Sequence, residues 1–311
     1  MSNCLVTGGA GFIGSNLADV LIAEGHKVSI IDSLITGKRE YLNPEAKFYG
    51  IDIRADRVSQ IFEEGNFDFV FHLAAQIDVR KSVTDPKLDN DVNVNGGINI
   101  LENCRVHRVK KVVFASTGGA VYGDAEVMPT PEDYPVYPVS PYGIHKLAFE
   151  KYLNYYKKVY DQDYTALRFA NVYGPRQYKG GEAGVVAIFV DHAINDKKLL
   201  INGDGLQTRD YVYVGDVVRA LVLSMGCAEC GEVNIGTGVE TTVVKIVEMI
   251  EKSIGRSVDK ENLPAKAGEQ RRSCLDISRA EERLGWRPEV GLEEGISRTV
   301  EWSRKQIKKE N

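Results

Sequence analysis

The chain has 311 residues, 43% of them hydrophobic and 27% charged, with 39 Lys plus Arg against 44 Asp plus Glu and a formal net charge of −5. That length suits one large domain or two closely joined ones, and it buries roughly three quarters of the unfolded surface without a disulfide or metal staple. The acidic balance argues against general nucleic-acid binding, and no apolar run approaches the roughly 20 residues that span a bilayer.

The start, Met1-Ser2-Asn3-Cys4-Leu5-Val6, lacks the charged region and long apolar core of a signal peptide, so a cytoplasmic protein is expected. A first strand is expected at 4–7. Thr7-Gly8-Gly9-Ala10-Gly11-Phe12-Ile13-Gly14 follows it and leads into a helix over 13–24. Residues 9, 11 and 14 satisfy G-x-G-x-x-G. Such glycines permit the tight turn, backbone approach to a pyrophosphate and close helix–strand packing, and the helix N-terminus supplies N–H groups to the anion. The second strand, 27–31, ends in Asp32, 18 residues after Gly14. A carboxylate there accepts both ribose hydroxyls and repels a 2′-phosphate, which predicts NAD over NADP.

Further strands are expected at 46–49, 69–72, 112–115 and 164–168, separated by amphipathic stretches at 54–64, 92–105 and 142–160. Continuous Val/Ile/Phe-rich strands alternating with helices predict an α/β fold, a doubly wound parallel sheet of the Rossmann kind covered on both faces. The strand over 112–115 runs into Ser116-Thr117-Gly118-Gly119, hydroxyls at the end where open α/β sheets place ligands. Five prolines between 129 and 141 mark an irregular loop. It ends at Ser140-Pro141-Tyr142-Gly143-Ile144-His145-Lys146, where Tyr142 and Lys146 share a helix face at i, i+4. An ammonium and a helix N-terminus beside a phenol both lower its pKa, so Tyr142 is expected to act as a general base near neutral pH.

Past about residue 170 the pattern loosens. The expected organisation is an NAD-binding unit over 1–170, to which 211–254 returns, and a smaller interleaved region built from 171–210 and 255–311. Cys4, Cys104, Cys227, Cys230 and Cys274 are scattered and odd in number, which fits a reducing compartment. Cys227-x-x-Cys230 has no second ligand pair, so it is read as two loop cysteines. His26, His72, His107, His145 and His192 have no metal spacing, and no metal is expected. Tyr152, Tyr155, Tyr156 and Tyr160 make the 142–160 helix unusually aromatic. Core packing and a homodimer seam with the 92–105 helix both account for this.

Together these motifs resemble the extended short-chain dehydrogenase/reductase family, and within it the UDP-sugar 4-epimerases. The resemblance runs the length of the chain, through the 8–14 loop, Asp32, Asp52-Ile53, His72-Leu73-Ala74-Ala75, Asn93-Val94-Asn95-Gly96, Ser116-Thr117, Val121-Tyr122-Gly123, Tyr142 and Lys146, Arg168-Phe169-Ala170-Asn171-Val172-Tyr173-Gly174-Pro175, Arg209-Asp210-Tyr211 and Asp276-Ile277-Ser278-Arg279-Ala280. It implies tightly held NAD surrounded by Gly8, Gly11, Phe12, Ile13, Gly14, Asp32, Ser33, Asp52, Ile53, Leu73, Ala74, Ala75 and Asn93, with Tyr142 and Lys146 at the reacting end. It implies a UDP-sugar contacted by Asn171, the backbone near Val186, and Arg209, and it favours a homodimer. The implied chemistry is epimerisation at C4 of a UDP-hexose through a 4-keto intermediate. A sugar-nucleotide oxidoreductase or decarboxylase on the same scaffold, or a non-catalytic NAD-sensing protein, are the alternatives.

The chain also departs from the family pattern. The usual active Ser is replaced by Gly118, so Thr117 is expected to carry the hydroxyl, with Ser116 in reserve. The Asp-Glu pair of the related 4,6-dehydratases is replaced by Gly118-Gly119. Lys266 stands for an expected diphosphate-binding Arg, with Arg271 as a compensating group. Asn202 replaces the aromatic residue that often covers the uracil. Ser273 occupies the position that walls the sugar's C2 substituent, where a bulky Tyr would restrict the pocket; the small Ser predicts room for N-acetylated sugars.

Overall fold

The structure is a computed structural model that describes residues 1–177, 184–228, 231–265 and 270–310. Seven parallel strands form the main sheet in the order β10-β6-β5-β4-β1-β2-β3. They are β1 (Asn3–Thr7), β2 (Lys27–Ile31), β3 (Lys47–Tyr49), β4 (Phe69–His72), β5 (Lys111–Thr117), β6 (Asp163–Phe169) and β10 (Gly231–Ile235). Helices α1 (Phe12–Ala23), α2 (Val58–Gly65), α3 (Val79–Thr84), α4 (Pro86–Asn90), α5 (Gly97–Val106), α6 (Gly118–Val121) and α7 (Pro141–Tyr160) fill the connections of this half. The expected doubly wound α/β sheet is therefore present.

The remaining elements are β7 (Asn171–Tyr173), α8 (Val185–Ile194), β8 (Leu199–Asn202), β9 (Thr208–Tyr213), α9 (Val214–Leu223), β11 (Glu240–Thr242), α10 (Val243–Ile254), β12 (Lys260–Leu263), α11 (Ser278–Leu284) and α12 (Leu292–Glu310). Strands β11, β9 and β7 form one small sheet, and β12 pairs with β8 in another. Of the 211–254 segment, β10 joins the main sheet beside β6 while β11 pairs with β9.

Two large apolar clusters cover the two faces of the main sheet. One contains Val6, Leu17, Phe71, Val113, Leu167 and the α8–α10 side chains; the other contains Leu5, Ile61, Val70, Ile100, Val112, Phe114 and Phe149. Successive strand residues thus serve opposite layers, and the strands are apolar throughout because both faces are buried.

The predicted helix over 92–105 is divided. Asp91–Gly96 forms a π-turn before α5 begins at Gly97. The wider turn sets Asn93 inward, where its side chain holds both backbone groups of Gln76 at 2.9 and 3.0 Å. The predicted start at residue 54 is four residues early, because Asp52 accepts from the Arg54 backbone N–H at 2.9 Å and holds a turn there, and the helix begins at Val58. Cys227 is not a plain loop thiol: it is disulfide-bonded, whereas Cys4, Cys104 and Cys274 are free and buried. Cys230 lies outside the described residues. Among the described residues no helix is long and apolar enough to cross a membrane.

A buried ion pair joins the sheet to α7. Glu150 on α7 and Arg168 on β6 are 0% and 4% exposed at the side chain, with Arg168 donating to both carboxylate oxygens at 3.0 and 2.7 Å. Arg168 also donates to Tyr122 Oη at 2.9 Å, and Tyr122 donates to Asn234 Oδ1 on β10 at 2.8 Å. Asn234 then donates to the Thr130 and Asp276 carbonyls, which ties the proline-rich loop and the C-terminal segment to the sheet. Removing one member of a buried pair leaves an uncompensated charge. Glu150→Gln is expected to lower unfolding stability by about 3–5 kcal/mol. Urea denaturation of the two proteins checks it, and an unchanged midpoint contradicts this account.

Candidate active site

The glycine loop lies between β1 and α1. Gly8 has φ +72°, and a Cβ there would stand 2.8 Å from the Ala74 backbone nitrogen. A Cβ on Gly14 would overlap the Gly8 carbonyl. The loop is therefore a backbone-walled cradle that side chains would fill, at the N-terminus of a 12-residue helix with no side-chain cap. These features suit a pyrophosphate. Gly11, Phe12 and Ile13 are partly exposed on it. Asp32 is mostly buried at the tip of β2. Its carboxylate accepts from Ala10 N at 3.0 Å and Leu34 N at 2.8 Å, so it is fixed beside the cradle. Ser33 next to it is exposed.

Other residues expected around the cofactor divide into two groups. Leu73, Ala74 and Ala75 are partly exposed beside the loop, and Thr7 Oγ1 accepts from the Leu73 and Ala74 N–H groups at 3.2 and 3.1 Å. The Asp52 carboxylate is instead engaged by Arg54, which holds it below the usual carboxylate range. The Ile53 side chain is 4% exposed and faces Gly96, and buried Asn93 is spent on Gln76.

Tyr142 and Lys146 sit in the first turns of α7. Ser140 caps the helix by accepting from Gly143 N at 3.2 Å, and Pro141 takes the first helical position. Ser82 Oγ accepts from Tyr142 N at 3.2 Å and fixes the turn against α3. Lys146 is buried and donates to the Ala115 carbonyl on β5 at 2.8 Å. Its ammonium lies 4.7 Å from the Phe114 ring centroid and 5.8 Å from that of Tyr142. Burial pushes the Lys146 amine down to about 8, with Asp89 and Glu150 opposing the shift.

The phenol behaves differently from the sequence-based expectation. Burial raises the Tyr142 pKa, and the negative charge of Asp89 raises it further. The lowering expected from Lys146 and the helix terminus is outweighed, because desolvation penalises the phenolate more than one flanking ammonium favours it. His72 is buried and pushed down to about 3, by burial and then by Lys146, so it is neutral. Thr7 Oγ1, already accepting two backbone N–H groups, donates to His72 Nδ1 at 2.8 Å. His72 stacks on Phe114 at 5.7 Å. A packed path therefore runs from the cradle through Thr7, His72 and Phe114 to Lys146.

The hydroxyl run at the end of β5 is sorted by its neighbours. Ser116 is buried and donates to Glu150 Oε1 at 2.5 Å, so its hydroxyl is committed to the interior. Thr117 is the partly exposed last residue of the strand, and it makes no cap bond to α6. Gly118 is a glycine for a packing reason: a Cβ there would stand 2.5 Å from Leu275 Cδ1. Leu275 is held by the Thr130 bridge and by its N–H donating to buried Asp210 at 3.3 Å. That puts the 273–276 segment, with Ser273 buried in it, against the end of β5.

The expected sugar-nucleotide residues are distributed over the small sheets. Asn171 is exposed at the start of β7, opposite Tyr211 of β9. Arg209 on β9 is partly buried and donates to the Thr208 carbonyl at 2.7 Å. Val186 is buried in the first turn of α8. Arg271 forms a bidentate pair with Asp204 at 2.9 and 2.8 Å, and Arg272 pairs with Glu240. Lys266 lies outside the described residues. Among the described residues no group of His, Cys, Asp and Glu could hold a metal.

Residues 4–236 match the model of the NAD dependent epimerase/dehydratase family. The chain belongs to that family. A UDP-glucose 4-epimerase of Mycolicibacterium smegmatis is 47% identical over 306 residues, covering 96% of this chain and 98% of that one. The crystal structure of a UDP-glucose 4-epimerase with UDP-glucose from Thermotoga maritima superposes with a TM-score of 0.96 at 46% identity, covering 98% and 99% of the two chains. That of the Thermus thermophilus UDP-glucose 4-epimerase complex with NAD gives 0.92 at 43% identity, covering 97% and 98%. This family member is accordingly a UDP-glucose 4-epimerase-like enzyme, and NAD is its cofactor.

Glu150, Asp89 and Leu275 shape the site and are not singled out by sequence motifs, while Arg168 and His145 stand in quoted segments without a role of their own. A charged residue inside an otherwise apolar strand, as at Arg168, was the available signal for one of them.

Two measurements follow from the hydroxyl geometry. Thr117→Val should lower kcat by about tenfold or more while leaving stability near wild type. Ser116→Ala should chiefly lower stability, since it strips a donor from buried Glu150. Thermal unfolding together with steady-state kinetics checks both, and a larger kcat loss for Ser116→Ala reverses the assignment.

Proposed function

We propose that the enzyme interconverts the C4 epimers of a UDP-hexose, UDP-glucose and UDP-galactose, through a 4-keto sugar. The observation that carries this reading is the Tyr142–Lys146 pair, held to β5 by the Lys146 bond to the Ala115 carbonyl, two residues before Thr117, and joined by packing to the glycine cradle. Gly8, Gly11 and Gly14 would hold the cofactor's pyrophosphate and Asp32 its ribose. NAD, when bound, supplies a hydride acceptor and donor, and a ring cation that favours the phenolate. Tyr142 takes the proton from the sugar 4-hydroxyl and later returns it to the opposite face. Thr117 hydrogen-bonds the 4-oxygen and holds it toward Tyr142. Lys146 keeps its charge beneath the phenol and binds the nicotinamide ribose. Asn171, Arg209 and the first turn of α8 take the nucleoside diphosphate, an Arg fork being matched to phosphate oxygens. Gly118-Gly119 supplies no acid or base, which disfavours elimination chemistry.

Residues 1–170 are read as the NAD-binding domain, with β10 returning to it, and 171–210 with 255–311 as the sugar-nucleotide region. Pairing of β8 with β12 apart from the main sheet supports the division. A cytoplasmic homodimer belongs to the same reading. Exposed Ile144, Tyr152, Tyr155, Val159 and Tyr160 on α7 support an interface along that helix.

Incubation of the purified protein with UDP-galactose, without added NAD, tests the activity. UDP-glucose should form with no net NADH. Net NADH or carbon dioxide release points to the oxidoreductase or decarboxylase, and bound NAD without chemistry to a sensor. Tyr142→Phe should fold and bind NAD yet lose most turnover; near-wild-type activity removes Tyr142 from the role.

Asp32 selects the cofactor in this reading. Asp32→Ala should weaken NAD binding and relatively improve NADP, as read by fluorescence titration. Preference of the unaltered protein for NADP would refute the assignment. Ser273 sets pocket size. UDP-N-acetylglucosamine and UDP-N-acetylgalactosamine should be substrates, and Ser273→Tyr should suppress that pair selectively. The kcat/KM values of both pairs in both proteins decide it, and equal losses for both pairs sink the size gate.

A further inference from the structure

His145 stands between Tyr142 and Lys146 in the sequence and takes no part in the proton steps above. Its Nδ1 lies 2.5 Å from Oδ2 of Asp89 on α4, and Asp89 is fully buried. The other Asp89 oxygen accepts from Gln76 Nε2 at 2.6 Å. Gln76 follows Leu73-Ala74-Ala75, the segment against which Gly8 packs. Every polar group of Gln76 is engaged. Its backbone N–H and carbonyl meet Asn93, its Oε1 accepts from Asp78 N at 2.7 Å, and its Nε2 donates also to the Asp78 carbonyl at 2.8 Å. Asp89 therefore bonds both Gln76, which follows the segment packed against the cradle, and His145 on the helix that carries Tyr142 and Lys146. We propose that Asp89 and His145 are positioning residues for the Tyr142–Lys146 pair, Asp89 fastening the segment after β4 to α7 and His145 holding the Asp89 carboxylate from α7. This rests on the reading of Tyr142 and Lys146 given above.

Two kinds of evidence support a role beyond packing. A fully buried carboxylate is costly unless it is paired and hydrogen-bonded, and the two partners it has lie on the two elements that must stay in register. The charge is also felt at the pair itself. Asp89 raises the phenol of Tyr142 and opposes the lowering of Lys146. The other ionisable groups facing this cluster are Glu150 from α7 and neutral His72 from β4, while Asp78 is turned to cap α3 through Lys81 N.

The sign of each variant is fixed by charge. Asp89→Asn keeps the shape and removes the charge that opposes the phenolate, so Tyr142 should titrate lower, by roughly one pH unit. His145→Asn removes the ring bonded to Asp89 Oδ2 and leaves that carboxylate less compensated, so Tyr142 should titrate higher. A purely structural pair would not give opposite shifts. The titration is read as ultraviolet phenolate absorbance of the NAD-bound protein, after subtracting the same curve for Tyr142→Phe. It needs no sugar nucleotide, so it separates this proposal from the epimerase reading. Absent C4 epimerisation with opposite shifts sinks that reading and leaves the pair standing. In the kinetic arm both variants should lose about tenfold or more in kcat, with KM little changed and the acid limb of the pH profile moving with the titration. Thermal unfolding of each variant accompanies both arms, and His145→Gln replaces His145→Asn if the latter does not fold. An unshifted titration in whichever variants fold, or shifts of the same sign in both, overturns the proposal.

Discussion

The buried pairing of Glu150 with Arg168 is the constraint on which the rest of the molecule depends. It sits where helix α7, the end of β5 and strand β6 meet. A guanidinium with five donors in a fixed fork has to be answered from several directions once it leaves water. Glu150 answers two donors and Tyr122 a third. The arrangement then reaches outward through Asn234 to the proline-rich loop and to Asp276. One desolvated ion pair thus orients three segments far apart in sequence. It also ties α7 to the sheet, and α7 carries Tyr142 two turns earlier.

The same pair settles which hydroxyl is free. Register between β5 and β6 sets Ser116 opposite Arg168 and Thr117 opposite Phe169. Ser116 falls on the inner side and becomes part of the ionic network. Thr117, one residue on, ends the strand and is partly exposed. Strand alternation does this sorting, since neighbouring residues face opposite ways. Lys146 is placed by related logic. It reaches the Ala115 carbonyl because it is four residues before Glu150 on one face of α7.

Much of the fold and some of the site were legible in the sequence. The strand over 27–31, the glycine loop and the Tyr142–Lys146 spacing are local patterns whose physics is complete within a few residues. The cradle follows from glycines alone, and Asp32 follows from the strand that ends at it. What was not legible depends on distant partners. Asp89 meets His145 across 56 positions and Glu150 meets Arg168 across 18. The π-turn at Asp91–Gly96 has no periodic signature of its own; it exists because Asn93 must reach Gln76. The Tyr142 phenol was misjudged in sign because proximity to Lys146 is visible in spacing, whereas desolvation and the charge of Asp89 are not.

Gly118 and Leu275 occupy each other's space across 157 positions of chain. The consequence is evolutionary. A Cβ at position 118 would stand 2.5 Å from Leu275 Cδ1, so the Leu275 side chain would have to move to admit one. The two positions should therefore change together, the residue tolerated at 118 depending on what stands at 275.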